Sequence, residues 1–164
     1  DEHLESAGGH PMAAGFSIRT EKIAEFKNMM FTHANQHIQE DQLTPELDID
    51  AEITLEDIHD PLFFRLEELK PFGMANSKPT FAVQNIKVVE KRGVGKTNNH
   101  LKLTVEDEHG TRLGGIGFRL AGHGPGKELL ETSATHIDAA FTIDENIWNG
   151  RRNLQLKLKD IRLR

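Results

Sequence analysis

The chain is predicted to fold as α+β in two successive parts, a short α/β stretch and then a small β-barrel of the OB type. Three observations carry this. Ile137, Ala139, Phe141 and Ile143 alternate along one segment, which returns through Asn149-Gly150 into Leu154, Leu156 and Leu158. Asn-Gly between alternating strands is a strong hairpin signal. From Thr80 onward about five short strands follow, with one short helix before the last pair, the pattern of a small Greek-key barrel. Ahead of them, a glycine-bearing stretch leads into an apolar strand and an amphipathic helix.

In chain order, Ser6 to Gly15 gathers Gly8, Gly9, His10, Pro11 and Gly15 into a short span. Glycines permit positive φ and close backbone approach, so a Gly-Gly turn with a histidine suits an oxyanion. An ordinary glycine-rich turn explains the same residues. Met12 to Ile18 reads as a buried strand. Thr20 then caps a helix to about Glu40, with Ile23, Phe26, Met30, Ala34 and Ile38 on one core-facing stripe.

Leu43-Thr44-Pro45 ends that helix, and Glu46 to Ile53 alternates as a strand. Glu46, Asp48, Asp50 and Glu52 share one face. Same-face residues stand roughly 7 Å apart and point in parallel, so they form a solvated acidic face rather than a metal site. Asp60-Pro61 reads as a helix start, with Asp60 as the cap. The helix carries Leu62, Phe63, Leu66 and Leu69 up to Pro71, and a turn-rich connector runs to Pro79. This divides the chain into residues 1–44, an acidic strand, helix and connector over 45–79, and the barrel over 80–164.

In the barrel, Phe81, Val83, Ile86 and Val88 make the first strand, and Lys91 to Asn99 reads as a polar loop. Leu101, Leu103 and Val105 alternate up to a turn at Asp107–Gly110. Leu113 to Phe118 is a glycine-bearing strand, and Lys127–Glu131 a short helix.

The net charge of −6 hides an asymmetry. Residues 1–70 hold 16 Asp/Glu against 5 Lys/Arg, a balance of −11; residues 71–164 hold 10 against 15, a balance of +5. An anionic partner, DNA or RNA, would meet the second half. Lys91, Arg92 and Lys96 decorate one loop, and Arg151 and Arg152 flank Trp148 at the last hairpin. An aromatic beside arginines is how such barrels stack bases and track phosphates. Equally, Trp148 can cover the barrel end and the arginines serve as solubilising charge. The absence of cysteine removes disulfides and thiolate sites and fits a reducing cytoplasm. His33 and His37 lack a third ligand nearby, and Gly122–Glu128 fails the phosphate-loop pattern. The start at Asp1 reads as the interior of a longer chain.

Three separated motifs resemble one family. Gly8-Gly9-His10-Pro11-Met12-Ala13-Ala14-Gly15-Phe16 is similar to the Gly-Gly-His motif closing the DHH-associated domain of the RecJ exonucleases. Leu69 to Pro79 resembles that family's Pro-Phe-Gly-Met-Gly-Asn connector, with Ala75 and Ser77 departing from it. Asn146 to Leu156 is similar to the hairpin of its OB-type domain. The resemblance implies 5′ to 3′ degradation of single-stranded DNA in repair and recombination, by two-metal hydrolysis with Mn2+ or Mg2+. It implies that the metals belong to an N-terminal domain, since no Asp-His-His occurs here, and that this chain alone is inactive. Gly8, Gly9 and His10 would then hold a phosphate, with His10 touching the transition state. The barrel would hold the strand towards its 3′ side through Trp148, Arg151, Arg152, Lys91, Arg92 and Lys96. Single-strand-binding protein and a RecQ-type helicase are the implied protein partners. A protein-docking module, and a DHH phosphoesterase acting on small nucleotides, are the alternatives.

Overall fold

The structure, a computed structural model, describes residues 4–164 apart from the side chains of Asp41 and Trp148. It divides into two compact units, Asp1–Leu47 and Asp48–Arg164.

The first unit is a hairpin of β1 (Leu4–His10) and β2 (Ala13–Ile18), followed by a 3-10 turn at Thr20–Lys22 and α1 (Ile23–His37). Gly8 and Gly9 are strand residues paired with Gly15 and Ala14, and neither has positive φ. The glycine turn expected at 6–11 is therefore replaced by a ladder reversed at Pro11-Met12. Glycine is needed at position 9 for another reason, since a Cβ there would run into the Ala13 carbonyl and the Ala14 Cα. Thr20 does not cap α1, which has no side-chain cap. The apolar stripe of α1 packs Phe26 on Phe16 with ring centroids 4.9 Å apart, but none of its residues is buried. A two-stranded ribbon offers too little surface to cover that stripe.

The second unit is built on β4 (Phe81–Val94), β5 (His100–Glu106), β6 (Arg112–Gly117), α3 (Gly124–Glu131), β7 (His136–Trp148) and β8 (Arg151–Leu163). Strand order β4-β5-β6-β8-β7, with β7 pairing back on β4, closes a five-stranded barrel in which β6 and β8 run parallel. β4 pairs on both sides by bending where its register shifts between Val83 and Ile86, with Asn85 at φ +51°. Asn149 (φ +49°) and Gly150 (φ +73°) form the two-residue turn their sequence predicts. Leu101, Val105, Leu129, Ile137, Phe141 and Leu156 are sealed inside.

The segment before the barrel folds onto it. Its acidic strand is reduced to β3 (Ala51–Glu52), parallel to the start of β4, because no strand lies beside residues 46–49. Leu55, Ile58 and Phe63 join the barrel core. In α2 (Asp60–Glu67), His59 rather than Asp60 is the N-cap, its Nδ1 accepting from the Leu62 N–H at 3.2 Å. Asn76 closes the connector by donating to the carbonyls of Leu69 and Pro71. With residues 48–70 included, this unit holds 17 Lys/Arg against 18 Asp/Glu, so charge is sorted by position on its surface rather than by unit.

Candidate nucleic-acid interface

The pleat and the register decide which cations share a face. Leu101, Leu103 and Val105 point inward from β5, so His100, Lys102 and Thr104 point outward. On β6 the outward positions are Arg112, Gly114 and Ile116, Arg112 pairing with Glu106 at the outward end of β5; on β8, as far as Lys157, they are Arg151, Asn153, Gln155 and Lys157. The ladder sets Arg92 opposite Lys102, Lys102 opposite Ile116, and Ile116 opposite Lys157. A row crossing four strands thus carries three cations around one isoleucine. Like charges opposite one another on neighbouring strands repel. Among the described residues, no carboxylate lies within ion-pair distance of Arg92 or Lys102; Lys157 Nζ is 3.9 Å from Asp144. Arg92, Lys102, Glu90 and Thr104 also line a cavity of about 320 Å3.

The row lies between the two loops expected to hold cations. β4 runs to Val94, so the first loop shrinks to residues 95–99, with only Lys96 on it; Lys91 and Arg92 are strand residues. Arg151 sits at the other end, at the β7–β8 turn, exposed and without a carboxylate partner among the described residues. Trp148 pairs with Arg151 through its backbone, and its side chain lies outside the described residues.

Two of the expected cations have internal work instead. Lys91 Nζ donates to the carbonyls of Thr132 (2.8 Å) and Ala134 (3.0 Å), closing the C-terminal end of α3. Arg152 is bound on both sides, Nη1 to Asp60 at 2.7 Å and Nε to Glu145 at 2.7 Å. Its guanidinium carbon lies 5.1 Å from the ring centres of both Phe63 and Phe64. These bonds, with Asp60 first, push its already high pKa further up. Arg152 ties α2 to the last hairpin, and two carboxylates stand where a phosphate was expected. Alternation separates it from its neighbour: Arg151 lies on the outward face, Arg152 under the helix.

Phe118 is the residue the sequence reading passed over. It follows β6 directly, is 55% exposed, and meets the His100 ring edge-on at 5.3 Å. His100 Nδ1 accepts from the Arg119 N–H at 3.0 Å, and the Ala121 N–H donates to the Asn99 carbonyl at 3.0 Å. These bonds tie the 95–99 loop to the corner that presents Phe118, where Arg119 takes φ +66°. Counting by two from inward Gly115 and Gly117 would have placed Phe118 on the outward face.

At the other unit, His10 is exposed at the end of β1, its Nδ1 accepting from the Met12 N–H at 3.2 Å. Among the described residues no three His, Asp or Glu side chains converge, so these residues form no site that fits the paired metals of the resemblance. His33 and His37 stack at 4.0 Å, with one His37 nitrogen bonded to a helix carbonyl.

The strand order, the parallel β6–β8 pair and the helix between β6 and β7 define the OB fold, a barrel class whose members bind oligonucleotides or oligosaccharides. A family model described as the RecJ OB domain matches residues 49–160. The chain belongs to the RecJ family. It is 31% identical over 155 residues to the single-stranded-DNA-specific exonuclease RecJ of Bacillus subtilis, covering 93% of this chain and 19% of that protein. The RecJ of Haemophilus influenzae is 27% identical, over 91% of this chain and 25% of the relative. The chain thus spans about a fifth to a quarter of the length of these relatives. The crystal structure of RecJ from Thermus thermophilus in complex with Mn2+ superposes with a TM-score of 0.75 at 21% identity, over 98% of this chain and 22% of that one.

Proposed function

We propose that this chain is the substrate-holding part of a RecJ-type exonuclease that degrades single-stranded DNA from its 5′ end in repair and recombination. The observation that carries the reading is the row Arg92–Lys102–Lys157 across four strands of an OB barrel, with Lys96 in the loop at one end and Arg151 at the start of β8 at the other. A bound polyanion offsets the repulsion within such a row, and a flexible single strand can follow it over the curved sheet. Lys91 and Arg152 support the barrel from within and stand apart from the contact set.

In this reading Gly8, Gly9 and His10 hold a phosphate beside Mn2+ or Mg2+ bound by residues outside this chain. Catalysis therefore requires the rest of a longer exonuclease, and the chain alone is inactive. The work belongs in the cytoplasm, on DNA coated by single-strand-binding protein or opened by a RecQ-type helicase. Docking of such proteins has one observation in its favour, the exposed apolar side chains of Phe64, Leu69, Met74 and Ile147.

Fluorescence anisotropy with a labelled oligothymidylate at several salt concentrations tests the reading. Binding at low salt that weakens as salt rises is expected. No binding at low salt, or a salt-independent signal, removes it.

A further inference from the structure

We propose that the outward face of β5, β6 and β8 is a base-stacking seat, with one base of a single strand lying on Phe118 and the backbone crossing the sheet at Gly114. The inference rests on the reading of the barrel as a single-strand module and specifies where on it the strand lies.

Phe118 has the properties of a platform. The residue is more than half exposed although a large apolar side chain gains by burial, and its orientation is fixed from two sides. The His100 ring holds one edge, and the Arg119 N–H bonded to His100 Nδ1 holds the corner behind it. Lys157 Nζ lies 5.9 Å from the ring centre, at the limit of a cation–π contact, and 3.9 Å from Asp144, at the limit of an ion pair. Neither contact is strong enough to fix the ammonium, which can turn to a phosphate when a base covers the ring.

Gly114 supplies the floor. It faces outward between Thr104 and Gln155, and a Cβ built on it would meet nothing within 4 Å. Its φ is not left-handed. Neither packing nor backbone conformation requires glycine at this position, in contrast to Gly115, where a Cβ would press on Leu103 Cδ1 at 2.8 Å. What the missing side chain does leave is a bare stretch of sheet beside the cation row, low enough for a sugar-phosphate backbone to lie on it. A neutral aromatic seat beside a strip of cations reads every base alike, since each base has a π-face.

The test is oligothymidylate binding by the 164-residue chain, measured by anisotropy for wild type and for Phe118→Ala, Phe118→Trp, Gly114→Leu and Lys157→Ala, with thermal melts as the folding control. Loss of one stacked base weakens binding roughly 5- to 150-fold. Phe118→Ala is expected in that range with the salt slope unchanged, and Phe118→Trp should restore or improve affinity. Gly114→Leu should weaken binding at unchanged melting temperature, because the new side chain fills the floor from an outward position where a Cβ meets nothing within 4 Å. Lys157→Ala should instead lower the salt slope. If the wild type binds but Phe118→Ala and Gly114→Leu bind within twofold of it, the seat is overturned and the single-strand reading stands. If the wild type does not bind at low salt, both fall. Should Gly114→Leu melt early, Gly114→Gln and the two Phe118 variants decide the matter by the same criteria.

Discussion

Replacing the cations one at a time separates those that face a ligand from those that support the fold. Five make up the proposed contact set: Arg92, Lys96, Lys102, Lys157 and Arg151. If each neutralises one phosphate of a single strand, the logarithm of the binding constant falls with the logarithm of salt at a slope of about −3.5. Between 50 and 200 mM salt this amounts to roughly a 130-fold loss of affinity. Removing one of them, as in Lys96→Ala or Arg151→Ala, should bring the slope to about −2.8 and the loss to roughly 50-fold. Lys91→Ala and Arg152→Ala should leave the slope at its wild-type value, because Lys91 serves two carbonyls and Arg152 two carboxylates. Anisotropy titrations over that salt range measure all five. Equal slopes for Lys96→Ala and wild type, or a lower slope for Arg152→Ala with unchanged folding, would refute the division between surface and internal cations.

Other expectations concern stability. Arg152→Ala should lower the melting temperature by freeing α2 from the last hairpin, leaving Asp60 and Glu145 without their shared partner. Leu156→Ala empties a fully buried position and should cost about 2–5 kcal/mol in denaturant unfolding. Gly126→Ala should destabilise by about 1–3 kcal/mol, since the added methyl would run into the Leu120 carbonyl. Asp138 links stability to pH. Burial works to raise its pKa, but the Arg164 hydrogen bond, the Asn85 N–H and the charges of Arg164 and Arg162 outweigh it and hold the carboxyl below its ordinary value. A depressed folded-state pKa stabilises fully above the unfolded value of about 3.9 and is lost as pH falls through the folded one. The Asp138 contribution should therefore be constant from neutral pH down to about 5 and be lost below about 4, read as a shallower acid-side fall of the melting temperature in Asp138→Asn than in wild type.

Much of the barrel was legible because its signals are local. Alternation in β5, β7 and β8 and the Asn149-Gly150 turn depend on residues a few positions apart, and the structure places them as the pattern implies. What misled were residues whose role is set by something distant in sequence. Gly93 reads as loop, yet it lies in β4, where a Cβ would press on the Asn98 carbonyl at 2.8 Å. Gly8 and Gly9 read as a turn, yet the opposing strand dictates them. The alternation of Glu46–Ile53 is intact, but a strand needs a neighbour and β4 begins only at Phe81. Arg151 and Arg152 look equivalent side by side in the sequence; only the pleat and a helix some ninety residues earlier tell them apart. Phe118 follows a glycine-bearing strand that reads as a site of bulges, and its place on the face of the sheet is set by His100, eighteen residues earlier.

The central claim is that a single strand lies on the outward β5–β6–β8 face, and amide chemical-shift mapping of the 164-residue chain with oligothymidylate tests it directly. The predicted result is a continuous set of perturbed amides running from Lys96 through Lys102, Gly114 and Phe118 to Lys157 and Arg151. Perturbations confined to the pocket lined by Glu52 and by Glu106 to His109, or none at saturating oligonucleotide, would contradict it.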